Sequence, residues 1–183
     1  QGFLMGAFAA LMTETGTVGM IGGAELPPLT NAVKGFIAGA EYVDPSVNVL
    51  STMTGSSEDA AKAKETTMAF IDKGADYVGA VAASAGLGSI EACKERGVYA
   101  IGGAGGDQFE AAPDTVVVSV IKDISVPIMF AYETYLAGEL EPKIYRVGVA
   151  EKAVYYSPFH DFEDFVSQDV KDKLAEIVND LAT

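Results

Sequence analysis

At 183 residues the chain suits one domain, or one full lobe with part of another, and can bury a sizeable core. Hydrophobic residues form 49% of it, which excludes a disordered chain, yet no apolar run approaches the ~20 residues of a membrane-spanning helix. A formal net charge of -14 argues against nucleic-acid binding, because nothing here could replace phosphate counterions.

Gln1-Gly2 offers no N-cap, so the chain is expected to be a fragment that begins inside a helix. Gly2 to Met12 is apolar but lacks the basic front and cleavage site of a signal peptide. Phe3, Leu4, Ala7, Phe8, Leu11 and Met12 recur at helical spacing, and Gly16 is expected to end that helix. Thr17 to Ile21 reads as a strand opening into Gly22-Gly23-Ala24-Glu25-Leu26-Pro27-Pro28. Val33, Phe36, Ile37 and Ala40 predict a second helix that Asp44-Pro45 stops. Val47 to Met53 is the second strand, and Ser56 or Ser57 is expected to cap a helix with acidic residues in its first turn.

Tyr77 to Val81 reads as the third strand, followed by a loop over 82–88 and a helix with Leu87, Ile90 and Cys93 on one stripe. Val98 to Ile101 and Thr115 to Ile121 are the fourth and fifth strands. Strand and helix alternate with short connections, which predicts a doubly wound α/β sheet in three αβα layers. After Ile121 the rhythm changes. Asp123 to Ala137 is helical with Pro127 in its first turn, Gly138 to Lys143 is a surface turn, and Tyr145 to Tyr156 is strand-like. A last helix from Ser167 is expected to bury Val170, Leu174, Ile177, Val178 and Leu181.

The stretch Val98 to Gln108, VYAIGGAGGDQ, concentrates the chemistry. A buried strand runs into small residues and closes on Asp107 and Gln108, which suits a ligand loop at the carboxyl end of a parallel strand. Two other loops, 22–28 and 82–88, are equally rich in glycine and alanine, and parallel strands would bring all three to one edge. Exposed amides there can bind anions or hydroxyls, although tight βα turns also need such residues. Neither a G-x-x-x-x-G-K-[ST] run nor a spaced G-x-G-x-x-G is present, so no nucleotide cofactor is expected.

Catalytic machinery is thin. No G-x-S-x-G elbow surrounds a serine, and a triad would need His160, the single histidine, to reach a serine such as Ser84. The acidic run after His160 is more simply a surface turn than a metal site, and no metal is expected. Cys93, the single cysteine, can form no intrachain disulfide and reads as a buried small hydrophobe. Lys122 ends the fifth strand, where a cation beside a cleft could bond a ligand's oxygen or ring nitrogen.

Ordered motifs run nearly the whole length. They include Gly19-Met20-Ile21-Gly22-Gly23 with Leu26-Pro27, Gly35-Phe36 with Gly39-Ala40, Tyr42-Val43-Asp44-Pro45, Gly74-Ala75-Asp76 and Gly86-Leu87-Gly88 before Ile90-Glu91-Ala92. Asp107-Gln108, Ala112-Pro113-Asp114-Thr115-Val116, Ser119-Val120-Ile121-Lys122 and Ser157-Pro158-Phe159-His160-Asp161-Phe162 follow. In these the chain resembles the basic-membrane-protein family of substrate-binding lipoproteins, which serve ABC importers and include purine-nucleoside binders. The resemblance implies a type I periplasmic-binding fold, two αβα lobes with ligand clamped between them. Residues 1–118 would be the second ligand-binding lobe, and 119–183 the hinge crossover, return segment and C-terminal helix. It carries Lys122 over as a ligand contact, and implies an extracytoplasmic lipoprotein whose anchor lies outside this chain. Two departures bear on the ligand. Nucleoside binders of the family carry an aspartate shortly before Asp-Gln, where 103–106 has no carboxylate, and often an aromatic where Gly79-Ala80 stands here. Each loss removes about 1–3 kcal/mol of typical binding.

The leading expectation is therefore a non-enzymatic solute-binding protein that closes over a small polar ligand and is read by an ABC permease. Gly23, Glu25, Ser84, Gly86, Asp107 and Lys122 would supply this lobe's contacts, with no cofactor, no metal and no nucleic acid. The alternatives are a small α/β hydrolase or transferase using Asp107 and Lys122 as an acid–base pair, or a ligand sensor without a transporter.

Overall fold

The computed structural model describes residues 1–103 and 105–183. Five parallel strands form the sheet: β1 Thr17–Gly22, β2 Asn48–Met53, β3 Tyr77–Val81, β4 Tyr99–Gly102 and β5 Val116–Lys122. A short β6, Val154–Tyr156, joins β5 antiparallel, and the strand order is β2-β1-β3-β4-β5-β6. Helices α1 Gly2–Met12, α2 Pro27–Val43 and α6 Gln168–Ala182 contribute to the core on one face, while α3 Ala60–Ile71 and α4 Gly86–Arg96 cover the other. Alternation along β3 shows the logic: Tyr77 and Val81 enter the first cluster, Val78 and Ala80 the second. The expected three-layer architecture is the one found.

Several local expectations need correction. Asp59, not Ser56 or Ser57, caps α3 by accepting from the Lys62 amide, and the acidic residues lie before the first turn. Ser56 Oγ accepts instead from the Glu58 and Asp59 amides, shaping the approach to the helix. Helix α1 ends at Met12, and Gly16, at φ +71°, serves the turn that follows. Asp76 organises that turn, its carboxylate accepting from Thr13 Oγ1 and from the Glu14 and Thr15 amides. Of the segment 145–156 only β6 is strand, because pairing with β5 is confined to Val120–Lys122. Leu87 is 51% exposed, so the buried apolar side chains of α4 start at Ile90 and continue to Cys93, behind the buried Gly86, Gly88 and Ser89. Likewise Leu174 and Ile177 are buried in α6, whereas Leu181 is 43% exposed at its last turn.

Helices α1 and α2 meet backbone to backbone. A Cβ added at Gly2 or Gly6 would overlap the carbonyls of Ala32 or Phe36, and one at Gly39 the carbonyl of Phe3. Glycine is required there for close approach, since backbone cannot move aside as a rotamer can. The contact also seats Leu4, Met5 and Phe8 over the sheet, all buried. Gly6→Ala is accordingly expected to cost about 3 kcal/mol in urea unfolding. Gly106→Ala, with nothing within 4 Å of the added methyl, should stay within about 0.5 kcal/mol.

Candidate functional site

All five parallel strands end on one edge, and the loops after β1, β2 and β3 are stitched together there. The Gly23 amide donates to the Val81 carbonyl at 3.2 Å, tying the β1 loop to β3. The Thr54 and Gly55 amides donate to the carbonyls of Gly22 and Gly23, which ties in the β2 loop. Ser57 Oγ accepts from the Ala24 amide, while its carbonyl accepts from the Ala85 amide and, at 3.3 Å, from Ser84 Oγ. A Cβ at Gly23 would overlap Ser57 Oγ and approach the Ala82 backbone to 3.1 Å, so this glycine is fixed by fit. Ala83 begins a short 3-10 turn, Ala83–Ala85, at φ +43°, a left-handed conformation that costs a non-glycine residue about 1–3 kcal/mol.

The β4 side is built around Ser119. A register shift lets β5 bulge, so that Ala100 pairs with Val116 but Ile101 with Val118 and Gly102 with Ser119. A side chain at Gly102 would occupy the space that the Ser119 hydroxyl takes. That buried hydroxyl accepts from the Gln108 amide at 2.9 Å and donates to Asp107 Oδ1 at 2.8 Å. The Phe109 amide donates to the same oxygen at 3.1 Å, and His160 Nε2 lies 2.6 Å from Oδ2. Burial works against charge on Asp107, but hydrogen bonds from His160, Ser119 and the Phe109 amide outweigh it and hold the carboxyl below its ordinary range. Gln108 Oε1 accepts from the Gly103 amide at 2.9 Å, so the loop closes on itself. Ala104, within this loop, lies outside the described residues.

The six expected contacts therefore differ in setting. Glu25 and Ser84 are exposed on their loops, and Gly86 is buried at the start of α4. Gly23 spends its amide on Val81 and its carbonyl on Gly55. Lys122 is exposed at the end of β5 and lines a depression of about 290 Å³ with Pro28 and Asn31 of α2 and Val154 of β6. Asp107 lines a different one, of about 380 Å³, with Phe109, Glu110 and His160. The acid–base pair of the enzyme alternative is thus not assembled, because both Asp107 oxygens are engaged and Lys122 faces elsewhere.

His160 joins Asp107 and Ser119 rather than Ser84. Among the described residues, no group of three His, Cys, Asp or Glu side chains could hold a metal. Burial pushes the Cys93 thiol up to about 12, so it is an inert core residue. Two participants escaped sequence reasoning: Gln1, whose amide nitrogen donates to the Gly103 and Val120 carbonyls, and Ser119. For Ser119 the signals were a hydroxyl interrupting a run of valines and its place at the head of the Ser119–Lys122 motif.

Residues 1–181 match the Bmp family model, described as "ABC transporter substrate-binding protein PnrA-like". The chain belongs to this family. A basic membrane protein B of Borrelia garinii subsp. bavariensis is 32% identical over 165 residues, covering 88% of this chain and 48% of the relative. A purine-binding protein of Brucella abortus is 29% identical over 174 residues, covering 95% of this chain and 47% of that protein. Among solved structures, a solute-binding protein of an Aeropyrum pernix ABC transporter system superposes with a TM-score of 0.82 at 21% identity, over 99% of this chain and 61% of the other. The chain thus spans about half the length of these curated relatives. Its fold is that of the type I periplasmic-binding proteins, and its family is one of substrate-binding proteins rather than enzymes.

The Asp107 shift has a consequence for stability. A carboxyl whose folded pKa is lowered contributes stability that is fully present above its unfolded value, about 3.9, and lost as pH falls through the folded value. In urea unfolding, the native chain's advantage over Asp107→Asn should be constant near pH 6 and shrink below about pH 4. An advantage that grows on acidification would contradict the hydrogen-bonded carboxylate.

Proposed function

We propose that this chain is the ligand-binding lobe and return segment of a solute-binding protein for an ABC importer, and that its ligand is a purine nucleoside or a related nucleobase or sugar compound. The observation that carries the reading is the crossover beside the stitched loops. Strand β5 leaves the sheet at Lys122, and the chain comes back as β6, with the Asp123 amide donating to the Ala153 carbonyl at 2.8 Å. Between them, helix α5, Ser125–Leu136, has no buried residue, and Ile124, Ile128, Met129, Tyr132, Tyr135 and Leu136 are each 49% or more exposed. An apolar surface of that extent calls for a partner. In this reading it packs on a first lobe, contributed by the length of the relatives that this chain does not span. Residues 1–118 then form the second lobe, and 119–183 the hinge crossover, return segment and C-terminal helix.

Closure of two lobes about paired crossing strands would bury a ligand against the carboxyl edge, and a permease would read the closed state. Glu25 and Lys122 are exposed and would face the ligand, and Ser84 Oγ, which donates to the Ser57 carbonyl, could also accept from it. Gly23 and Gly86 would shape the floor, and Asp107 would contribute through its loop. The protein would work outside the cytoplasm, held to the membrane by a lipid anchor.

With the chain extended to its relatives' length, a purine nucleoside at ~100 times its dissociation constant should stabilise the fold by ~2.7 kcal/mol in thermal unfolding. Lys122→Ala should weaken that binding roughly 10- to 100-fold in calorimetry, the loss of one hydrogen bond to a charged group. Absence of any shift with nucleosides, nucleobases and sugars would overturn the ligand assignment.

A further inference from the structure

His160 is strained, paired and stacked at once. Its backbone sits at φ +49°, in the left-handed region that costs a non-glycine residue energy. Its ring lies 2.6 Å from Asp107 Oδ2 and stacks on Phe109, centroids 4.2 Å apart and planes 22° from parallel. These contacts bridge 53 residues of sequence, from the return segment to the β4 loop. The strand preceding His160 is tied to the same place: Ser157 Oγ accepts from the Ser119 amide, and the Ser157 amide donates to the Ser119 carbonyl. Strain of this kind persists only where surroundings over-determine it. Here the bond to Asp107 and the stack on Phe109 hold the ring, while the Ser157–Ser119 bonds fix the backbone before it.

We propose that His160 is a positioning residue: it latches the β4 loop, through Asp107 and Phe109, to the segment that returns across the hinge. Asp107 is then an anchor for the loop rather than a direct ligand contact. Hinge movement at the crossing strands carries the loop with it, so the loop's shape and lobe closure are coupled. The latch itself stands on geometry alone; its effect on ligand binding rests on the solute-binding reading above.

Amide hydrogen exchange tests the latch without any ligand. The Gln108 and Phe109 amides, bonded to Ser119 Oγ and Asp107 Oδ1, report on the loop, and the Val117 and Val118 amides of β5 report on the core. His160→Asn is the variant of choice, because asparagine tolerates the left-handed backbone yet is too short to keep the stack. It should speed exchange at Gln108 and Phe109 about tenfold or more while leaving Val117 and Val118 unchanged. In an Asp107→Ala background the same change should add little, since the two residues act as one unit. Unchanged loop exchange, an equal rise at β5, or full independent increments from the two variants would each overturn the proposal. A parallel titration with inosine separates the readings. Tight binding by the native protein that weakens in His160→Asn supports the coupling, and equal affinity in both contradicts it. No binding by either removes the ligand assignment, and the latch is judged on exchange.

Discussion

A parallel sheet can be built only if each strand is returned by a connection across one face, and that constraint puts every strand's carboxyl end on the same edge. In this chain helices return β1, β2 and β3, a loop with a short 3-10 turn at Phe109–Ala111 returns β4, and glycine lets the helices pack closely. Gly2, Gly6 and Gly39 let α1 and α2 touch backbone to backbone on one face, and a Cβ at Gly88 would overlap the Ala60 carbonyl on the other. Close layers bring the loops near enough to share hydrogen bonds. Ser57 and Gly23 then join the loops after β1, β2 and β3 into one surface. Several of its amides are spent on holding that surface, so in the proposed reading the ligand would be met by side chains such as Glu25, Ser84 and Lys122.

At the β4 end a single bulge decides the chemistry. By placing Ser119 opposite Gly102 it gives a buried hydroxyl two partners at once, the Gln108 amide and the Asp107 carboxylate. An aspartate that accepts from a hydroxyl, an amide and an imidazole is stabilised as an anion and held in one rotamer. A residue so committed is poorly placed to exchange partners for a ligand. The carboxylate that the family resemblance places just before this pair is absent from 103–106, and both Asp107 oxygens are already engaged within the loop and by His160. Recognition of a ribose by this lobe would have to come from other groups on the edge, Glu25 among them.

Much of this was legible in the chain. Apolar runs beside glycine-rich loops placed β1, β3, β4 and β5, because strands buried on both faces leave a near-continuous apolar signature. Strand β2, at the sheet edge and only partly buried, was legible from Val47 to Met53. The helices were legible by period, and their packing partners followed from the alternation. Legibility failed where partners are distant in sequence or pairing is short. Only Val154–Tyr156 of a longer alternating segment is strand, since β5 offers it three residues. Asp59, not Ser56 or Ser57, caps α3, a role its neighbouring acidic residues hid by reading as part of the first turn. His160 read as part of an acidic surface turn, and nothing local to Ser157–Phe162 announces Asp107 as its partner. The six candidate site residues share one edge, as the parallel strands required, but the sequence could not show that Asp107 turns inward to Ser119 while Lys122 faces another depression.

The central claim is that a small solute binds at the carboxyl edge of this sheet. Amide chemical-shift mapping during titration with a purine nucleoside tests it most directly. The account predicts shifts clustered at Gly23 to Glu25, Ser84 to Gly86, Gly105 to Asp107 and Lys122, with the opposite edge around Glu14, Asp76 and Gly97 silent. Shifts confined to that opposite edge would contradict it.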